Sequence, residues 1–175
     1  MSAQMPAEPT IDDMSVRIRS LTYPDLPHVL SIERRAFPTP WSLAMFVLEL
    51  SKQSGVCLAA VWGRRLVGYL ICSRYETVWH ITNIAVDVDH HGRGIATALL
   101  AELYARVNDE EARFTLEVRR TNHVAIHLYE REGFRAAGVR RRYYQDNGED
   151  ALVMWRTPAT LAGTLDDVPN PERGL

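Results

Sequence analysis

Residues 83–100 read Asn83-Ile84-Ala85-Val86-Asp87-Val88-Asp89-His90-His91-Gly92-Arg93-Gly94-Ile95-Ala96-Thr97-Ala98-Leu99-Leu100. The first four close an apolar run of strand character that starts near Trp79. From Gly94 the pattern changes to that of a helix, with Ile95, Ala98, Leu99 and Leu103 on one stripe and an end near Asn108. Phe114 to Val118 then reads as a short buried strand. Strand, glycine-containing turn, helix and second strand form a crossover unit, and the two strands of such a unit lie parallel. The helix amino terminus is thereby presented at the carboxyl end of its strand, where an anion is favoured.

Outward from this unit, period-2 and period-3.6 patterns alternate. Val16 to Leu21 reads as a strand, and Thr22 with Asp25 caps a helix ending near Ala36. Phe37, Pro38, Thr39, Pro40 and Trp41 form a stiff link, because each proline fixes its own φ and biases its predecessor away from helix. Ser42 caps a second helix carrying Leu43, Phe46, Val47 and Leu50 at i, i+3, i+4, i+7. Val56–Trp62 and Leu66–Tyr75 read as a hairpin turning at Gly63 and Arg64. Val124–Arg131 is a short helix closed by Gly133. Arg135–Tyr144 and Asp150–Arg156 are two last strands turning around Asn147 and Gly148. The predicted class is α/β with a mixed sheet, in the order β-α-α-β-β-β-α-β-α-β-β. Residues 16–156 form one domain between loose tails at 1–15 and 157–175, both rich in proline, with no apolar periodicity.

A chain of 175 residues, 46% hydrophobic and 24% charged, buries a core without disulfides or a structural metal. Its formal net charge of −2 supplies no basic field to attract nucleic acid. Cys57 and Cys72 sit singly in apolar stretches and read as reduced core residues; no metal site is expected. The amino terminus lacks the pattern of a secretory signal and no stretch approaches a membrane span, so the expected location is cytoplasmic.

Gly92, Gly94 and Ala96 keep side chains off the backbone, so a ligand can approach closely. The N–H groups of residues 92–97, backed by the helix dipole, suit a pyrophosphate, with Arg93 and Thr97 as side-chain donors. By itself Gly-x-Gly-x-Ala fits equally a turn that opens an ordinary core helix. It is neither a P-loop, which ends in Gly-Lys-Ser/Thr, nor the Gly-x-Gly-x-x-Gly of dinucleotide folds.

His91, Gly92, Arg93, Gly94, Ile95 and Ala96 resemble motif A of the GNAT acetyltransferases, Gln/Arg-x-x-Gly-x-Gly/Ala, with His91 in place of the usual Gln or Arg. Leu116-Glu117-Val118-Arg119, Asn122, Ala125, Ile126, Leu128, Tyr129 and Glu130 resemble the RimI type within that superfamily. The likeness runs from about Ile32 to Met154 and takes in Phe37–Ser42 and the cluster of Tyr143, Tyr144, Gly148, Glu149 and Asp150. Enzymes of that type acetylate the amino-terminal alanine of a small-subunit ribosomal protein. The resemblance implies a splayed parallel strand pair that binds acetyl-CoA. In it, Ile84 and Val86 hydrogen-bond the cofactor's pantetheine arm through their main chains, Ala85 between them is counted with the cofactor-binding residues, Gly92 to Thr97 hold the pyrophosphate, and Asn122 is a further cofactor contact. It implies Glu117 as the base and Tyr129 as the acid that protonates the coenzyme A sulfur.

Acyl transfer to an amine needs a neutral nucleophile, stabilisation of an oxyanion and a proton for the departing thiolate. An α-amine, with a reference pKa of about 7.7–8.0, asks less of a base than a lysine at about 10.4. Trp41, Tyr143 and Tyr144 are candidates for lining a groove for the acceptor peptide, core packing being the alternative for each. Glu117 alone reads equally as a strand carboxylate paired with Arg119 on the same face. Arg140, Arg141 and Arg142 alternate faces on a strand and read as solvated. Two other functions are compatible with the chain: acetylation of lysine side chains or small amines, and acyl-CoA sensing without turnover.

Overall fold

The computed structural model of the protein describes residues 15–169. The expected amino-terminal tail lies, apart from Ser15, outside them. The elements are β1 (Val16–Ser20), α1 (Leu26–Ala36), α2 (Leu43–Ser51), β2 (Val56–Trp62), β3 (Arg65–Tyr75), β4 (Val78–Val86), α3 (Ile95–Val107), β5 (Arg113–Arg119), α4 (His123–Arg131), β6 (Arg135–Arg140), β7 (Ala151–Arg156) and α5 (Pro158–Leu161). They form a seven-stranded mixed sheet in the order β1-β2-β3-β4-β5-β7-β6. Every pairing is antiparallel except β4 with β5, as the crossover through α3 requires.

That parallel pair makes the site. Its register covers only Val78, Trp79 and His80 against Arg113, Phe114 and Thr115. Beyond it the strands part, each still held on its other side: β4 pairs with β3 as far as Val86–Gly68, and β5 with β7 as far as Arg119–Ala151. The sheet is therefore split along the carboxyl halves of β4 and β5.

Helices cover both faces, which is why β3 is buried almost end to end and reads as a continuous apolar run. On one face α1 and α2 pack Val29, Ile32 and Phe46 against Ala59, Tyr69 and Ile71. On the other, Leu99, Leu100 and Leu103 of α3 and Tyr129 of α4 meet Phe114, Leu116, Phe134 and Met154. Both cysteines are free, Cys72 buried and Cys57 half-buried. The cap residues act as expected: the Thr22 N–H donates to Asp25 Oδ2 at 2.9 Å and the Met45 N–H to Ser42 Oγ at 3.4 Å.

Two boundaries differ from the expectation. β6 ends at Arg140 rather than Tyr144, because Arg142 turns to φ +50° and its N–H donates to Asp150 Oδ1 at 2.9 Å. Face alternation therefore does not apply to Arg141 and Arg142. The segment from Thr157, expected as a loose tail, is built into the fold as far as the described residues run. Thr157 and Thr160 cap α5 reciprocally. Asp167 accepts from Thr157 Oγ1 at 2.6 Å and from the Ala159 N–H at 3.1 Å, while Arg113 Nη2 donates to its carbonyl. The signal was present in Thr157-Pro158, an N-cap followed by proline at the first helical position. Residues 170–175 lie outside the described part.

Candidate active site

Main-chain direction in β4 decides what faces the split. The Asp87 N–H donates to Val67 O on β3 at 2.7 Å. Peptide groups alternate sides along a strand, so Ala85 also faces β3 while Ile84 and Val86 face the gap that β5 has left. The main chain of Ile84 and of Val86 thus faces the gap, whereas the peptide groups of Ala85 serve the sheet opposite Tyr69. His91 spends its ring on the Val86 carbonyl, at 2.9 Å from Nε2, which leaves the Val86 N–H for a ligand.

Past β4 the chain enters the loop that precedes α3. Gly92 and Gly94 have φ +73° and +74°, a left-handed conformation that L side chains adopt at a cost. A Cβ at either would meet nothing within 4 Å, so the demand here is backbone conformation and open space. That is what an anion cradle at a helix amino terminus provides, and with the unpaired edge of β4 it fits a ligand joining a pyrophosphate to a diamide arm. The Ile95 side chain is buried, so only its main chain is on offer. The Arg93 guanidinium lies 5.0 Å from the Trp62 ring centre, a cation–π contact in place of the expected donation over the loop. Asp87, buried at the loop's start, anchors it by accepting from Arg35 at 2.8 Å and Arg65 at 3.1 Å.

A cleft of about 480 Å³ opens where the strands part, and it gathers Trp41, Ile84, Glu117, Asn122, Tyr129, Tyr143 and Tyr144. Leu116 and Val118 of β5 enter the core under α3 and α4, so Glu117 between them projects to the other face. Tyr129 belongs to the α3/α4 side, with its ring 5.8 Å edge-on to Phe134. The carboxylate and the phenol thus reach the split from opposite faces of the sheet.

Glu117 does not pair with Arg119. The loop between β6 and β7 takes Arg119, whose guanidinium is 2.8 Å from Asp146, 3.2 Å from Glu149 and 3.9 Å from the Tyr144 ring centre. Glu117 instead meets His80 Nε2 at 2.5 Å through Oε2 and Arg140 Nη2 at 3.3 Å through Oε1. Arg140, expected in solvent, thereby touches the site. Burial pushes the Glu117 carboxyl upward, but the His80 hydrogen bond, the charge on His80 and Arg140 outweigh it and hold the group below its ordinary value. Tyr129 is shifted the other way: burial raises its phenol well above the ordinary value, so it keeps its proton at neutral pH.

Asn122 caps α4, its Oδ1 accepting from the Ala125 N–H at 3.2 Å, and the residue lines the cleft. Tyr143 is 43% exposed and Tyr144 half-buried, the two rings T-shaped at 5.2 Å. Trp41 lies 5.2 Å from Phe46. Its N–H donates at 2.8 Å to Glu33, a buried carboxylate that also accepts from Tyr69 Oη and, at 3.0 Å, from Asn83 Nδ2.

Glu33, His80 and Asp87 were missed in the sequence. Glu33 had a signal, a charge on the buried stripe of α1 one turn after Val29. His80 and Asp87 had none, since their partners lie 37 residues away in one case and 52 and 22 in the other. Among the described residues no group of three or more His, Cys, Asp or Glu is placed to hold a metal.

A model of the acetyltransferase (GNAT) family matches residues 26–134. The chain is 37% identical over 155 residues to the N-alpha-acetyltransferase RimI of Mycobacterium tuberculosis, covering 84% of this chain and 96% of the relative. It is 35% identical over 140 residues to the [ribosomal protein bS18]-alanine N-acetyltransferase of Escherichia coli K12, covering 78% and 94%. The crystal structure of the ribosomal-protein-S18-alanine N-acetyltransferase from Escherichia coli superimposes with a TM-score of 0.75 at 33% identity, over 82% of this chain and 94% of that one.

Proposed function

From the premise that the chain belongs to the GNAT acetyltransferase family, and is thus an acetyl-CoA-dependent N-acetyltransferase, we propose that its acceptor is a protein amino terminus. The best candidate is an amino-terminal alanine of a small-subunit ribosomal protein, met in the cytoplasm. The named activity of relatives matched over most of their length supports this reading. No described helix is long and apolar enough to cross a membrane.

Acetyl-CoA supplies an activated acetyl group on a thiol leaving group. The chain's own residues do the rest. The N–H groups of residues 92–97 cradle the pyrophosphate, and the main chain of Ile84 and Val86 binds the pantetheine arm. An N–H of that edge also stabilises negative charge developing on the carbonyl oxygen. Glu117, held ionised, takes a proton from the incoming amine directly or through one water. An α-amine near pKa 8 needs only a modest base at neutral pH. Tyr129, held protonated from the opposite face, gives its proton to the thiolate. Trp41, Tyr143 and Tyr144 line the approach for the first residues of the peptide.

One observation carries the assignment: a carboxyl shifted below its ordinary pKa and a phenol shifted above its own flank a parted strand pair whose β4 edge faces the gap. The test is acetylation of a peptide library varied at the first residue, with matched peptides whose amino terminus is blocked and which carry a free lysine. Product on free alanine termini is expected. Product confined to the blocked, lysine-bearing peptides would overturn the α-amine reading.

A further inference from the structure

The two partners of the Glu117 carboxylate differ in kind. His80 lies on β4 at the last residue still paired with β5, opposite Thr115, so the rigid ladder fixes its position. Arg140 ends β6, where the strand gives way to a turn. The His80 contact is 2.5 Å, with side-chain exposures of 25% and 8%. The Arg140 contact is 3.3 Å and its side chain is 57% exposed, a pair that solvent screens. Two acceptors do not approach to 2.5 Å without a proton between them, and with the Glu117 carboxyl held below its ordinary value the assigned donor is the Nε2–H of His80.

We propose that His80 is a positioning residue for acetyl transfer: it holds Oε2 of Glu117 from the ladder, leaving Oε1 as the oxygen that receives the acceptor's proton. This rests on the reading of Glu117 as base. Arg140 marks the place. Its guanidinium occupies Oε1 in this structure, and an entering ammonium carries the same charge to the same oxygen. On arrival the ammonium N–H bond breaks, the proton passes to Oε1, and the nitrogen keeps the electron pair with which it attacks. The His80 proton stays on Nε2 throughout. The other groups facing the pair are Tyr75 of β3, 6.3 Å from the His80 ring centre, and Tyr143 and Tyr144 of the β6–β7 loop.

The experiment compares full pH profiles of kcat/KM for the wild type, His80→Ala, His80→Asn, His80→Gln and Glu117→Gln on an alanine-initial peptide. Folding is checked by circular dichroism. Loss of the N–H donor lets Glu117 hold a proton more tightly, so the acid limb moves to higher pH in His80→Ala and His80→Asn. Turnover falls on the order of tenfold and the KM for acetyl-CoA is unchanged. His80→Gln, whose amide N–H reaches where Nε2 does, returns toward the wild type, whereas the shorter Asn does not. If Ala does not fold, Gln against Asn decides the question. An acid limb unmoved in folded His80→Ala or His80→Asn, or a Gln variant no better than Asn, overturns the proposal while leaving Glu117 as base. Turnover retained in Glu117→Gln overturns that base reading, and this inference with it.

Discussion

The backbone N–H of Trp41 donates to Glu33 Oε1 at 2.8 Å, tying the proline-stiffened link between α1 and α2 to a carboxylate that is 1% exposed. With Tyr69 and Asn83 on its other oxygen, Glu33 clamps one wall of the cleft to β3 and β4. Glu33→Ala leaves three donors without their acceptor, and buried donors left unmade are costly. Denaturant unfolding is expected to show a loss of about 3 kcal/mol, with a raised KM for the peptide. Unaltered stability would show that the clamp is dispensable.

Removing either proposed proton-transfer group is expected to leave the cofactor site intact. Glu117→Gln and Tyr129→Phe are each expected to lower kcat by about 10²-fold or more, while calorimetry gives near wild-type acetyl-CoA affinity. Tyr129→Phe keeps the ring against Phe134, so its melting temperature changes little. An unchanged kcat removes the residue from the mechanism.

Gly94→Val tests the anion loop. A β-branched residue at φ +74° costs about 1–2 kcal/mol of backbone strain and puts a side chain into the open space in front of α3. Titration calorimetry is expected to show at least tenfold weaker acetyl-CoA binding. Normal affinity would contradict the proposed cradle.

Acid sensitivity is expected at the entry to α1. Arg19 forks onto both oxygens of Asp25 at 2.7 and 2.8 Å, and that hydrogen bonding holds the Asp25 carboxyl down at about 2. The folded value is depressed against an unfolded value of about 3.9. The stabilisation is therefore fully present above roughly pH 4 and is lost as pH falls toward about 2. Asp25→Asn should melt lower than the wild type at pH 7, with the gap closing below roughly pH 4. A constant gap down to pH 2 would refute the linkage.

Local patterns carried the fold. The 3.6-residue stripe of Ile95, Leu99 and Leu103, the glycines before it and the prolines at 38 and 40 placed α3, the crossover and the cleft wall, because each acts on its own neighbours in sequence. Ile84, Glu117, Asn122 and Tyr129, singled out only through the family resemblance and not by spacing, line one cleft in the structure. Illegible were the partners. Which cation meets Glu117 depends on where β4, β6 and the β6–β7 loop come to rest, and spacing alone favoured Arg119. A loop ten residues long moved that arginine to Asp146 and left Glu117 to His80 and Arg140. Equally illegible was the side of β4 that each peptide group faces, which is set by register with β3.

With only three register pairs joining β4 to β5, the sheet consists of two antiparallel blocks sharing a short seam. On the proposed binding mode, a diamide arm lying in the open part of that seam hydrogen-bonds where a neighbouring strand otherwise would, so the coenzyme would complete the architecture as well as feed the reaction. Binding and folding are then thermodynamically linked: coenzyme at a hundred times its Kd adds about 2.7 kcal/mol to the native state. Acetylated and free coenzyme share the arm that would fill the seam, so this linkage would sustain the fold through the whole turnover cycle and leave it weakest without coenzyme.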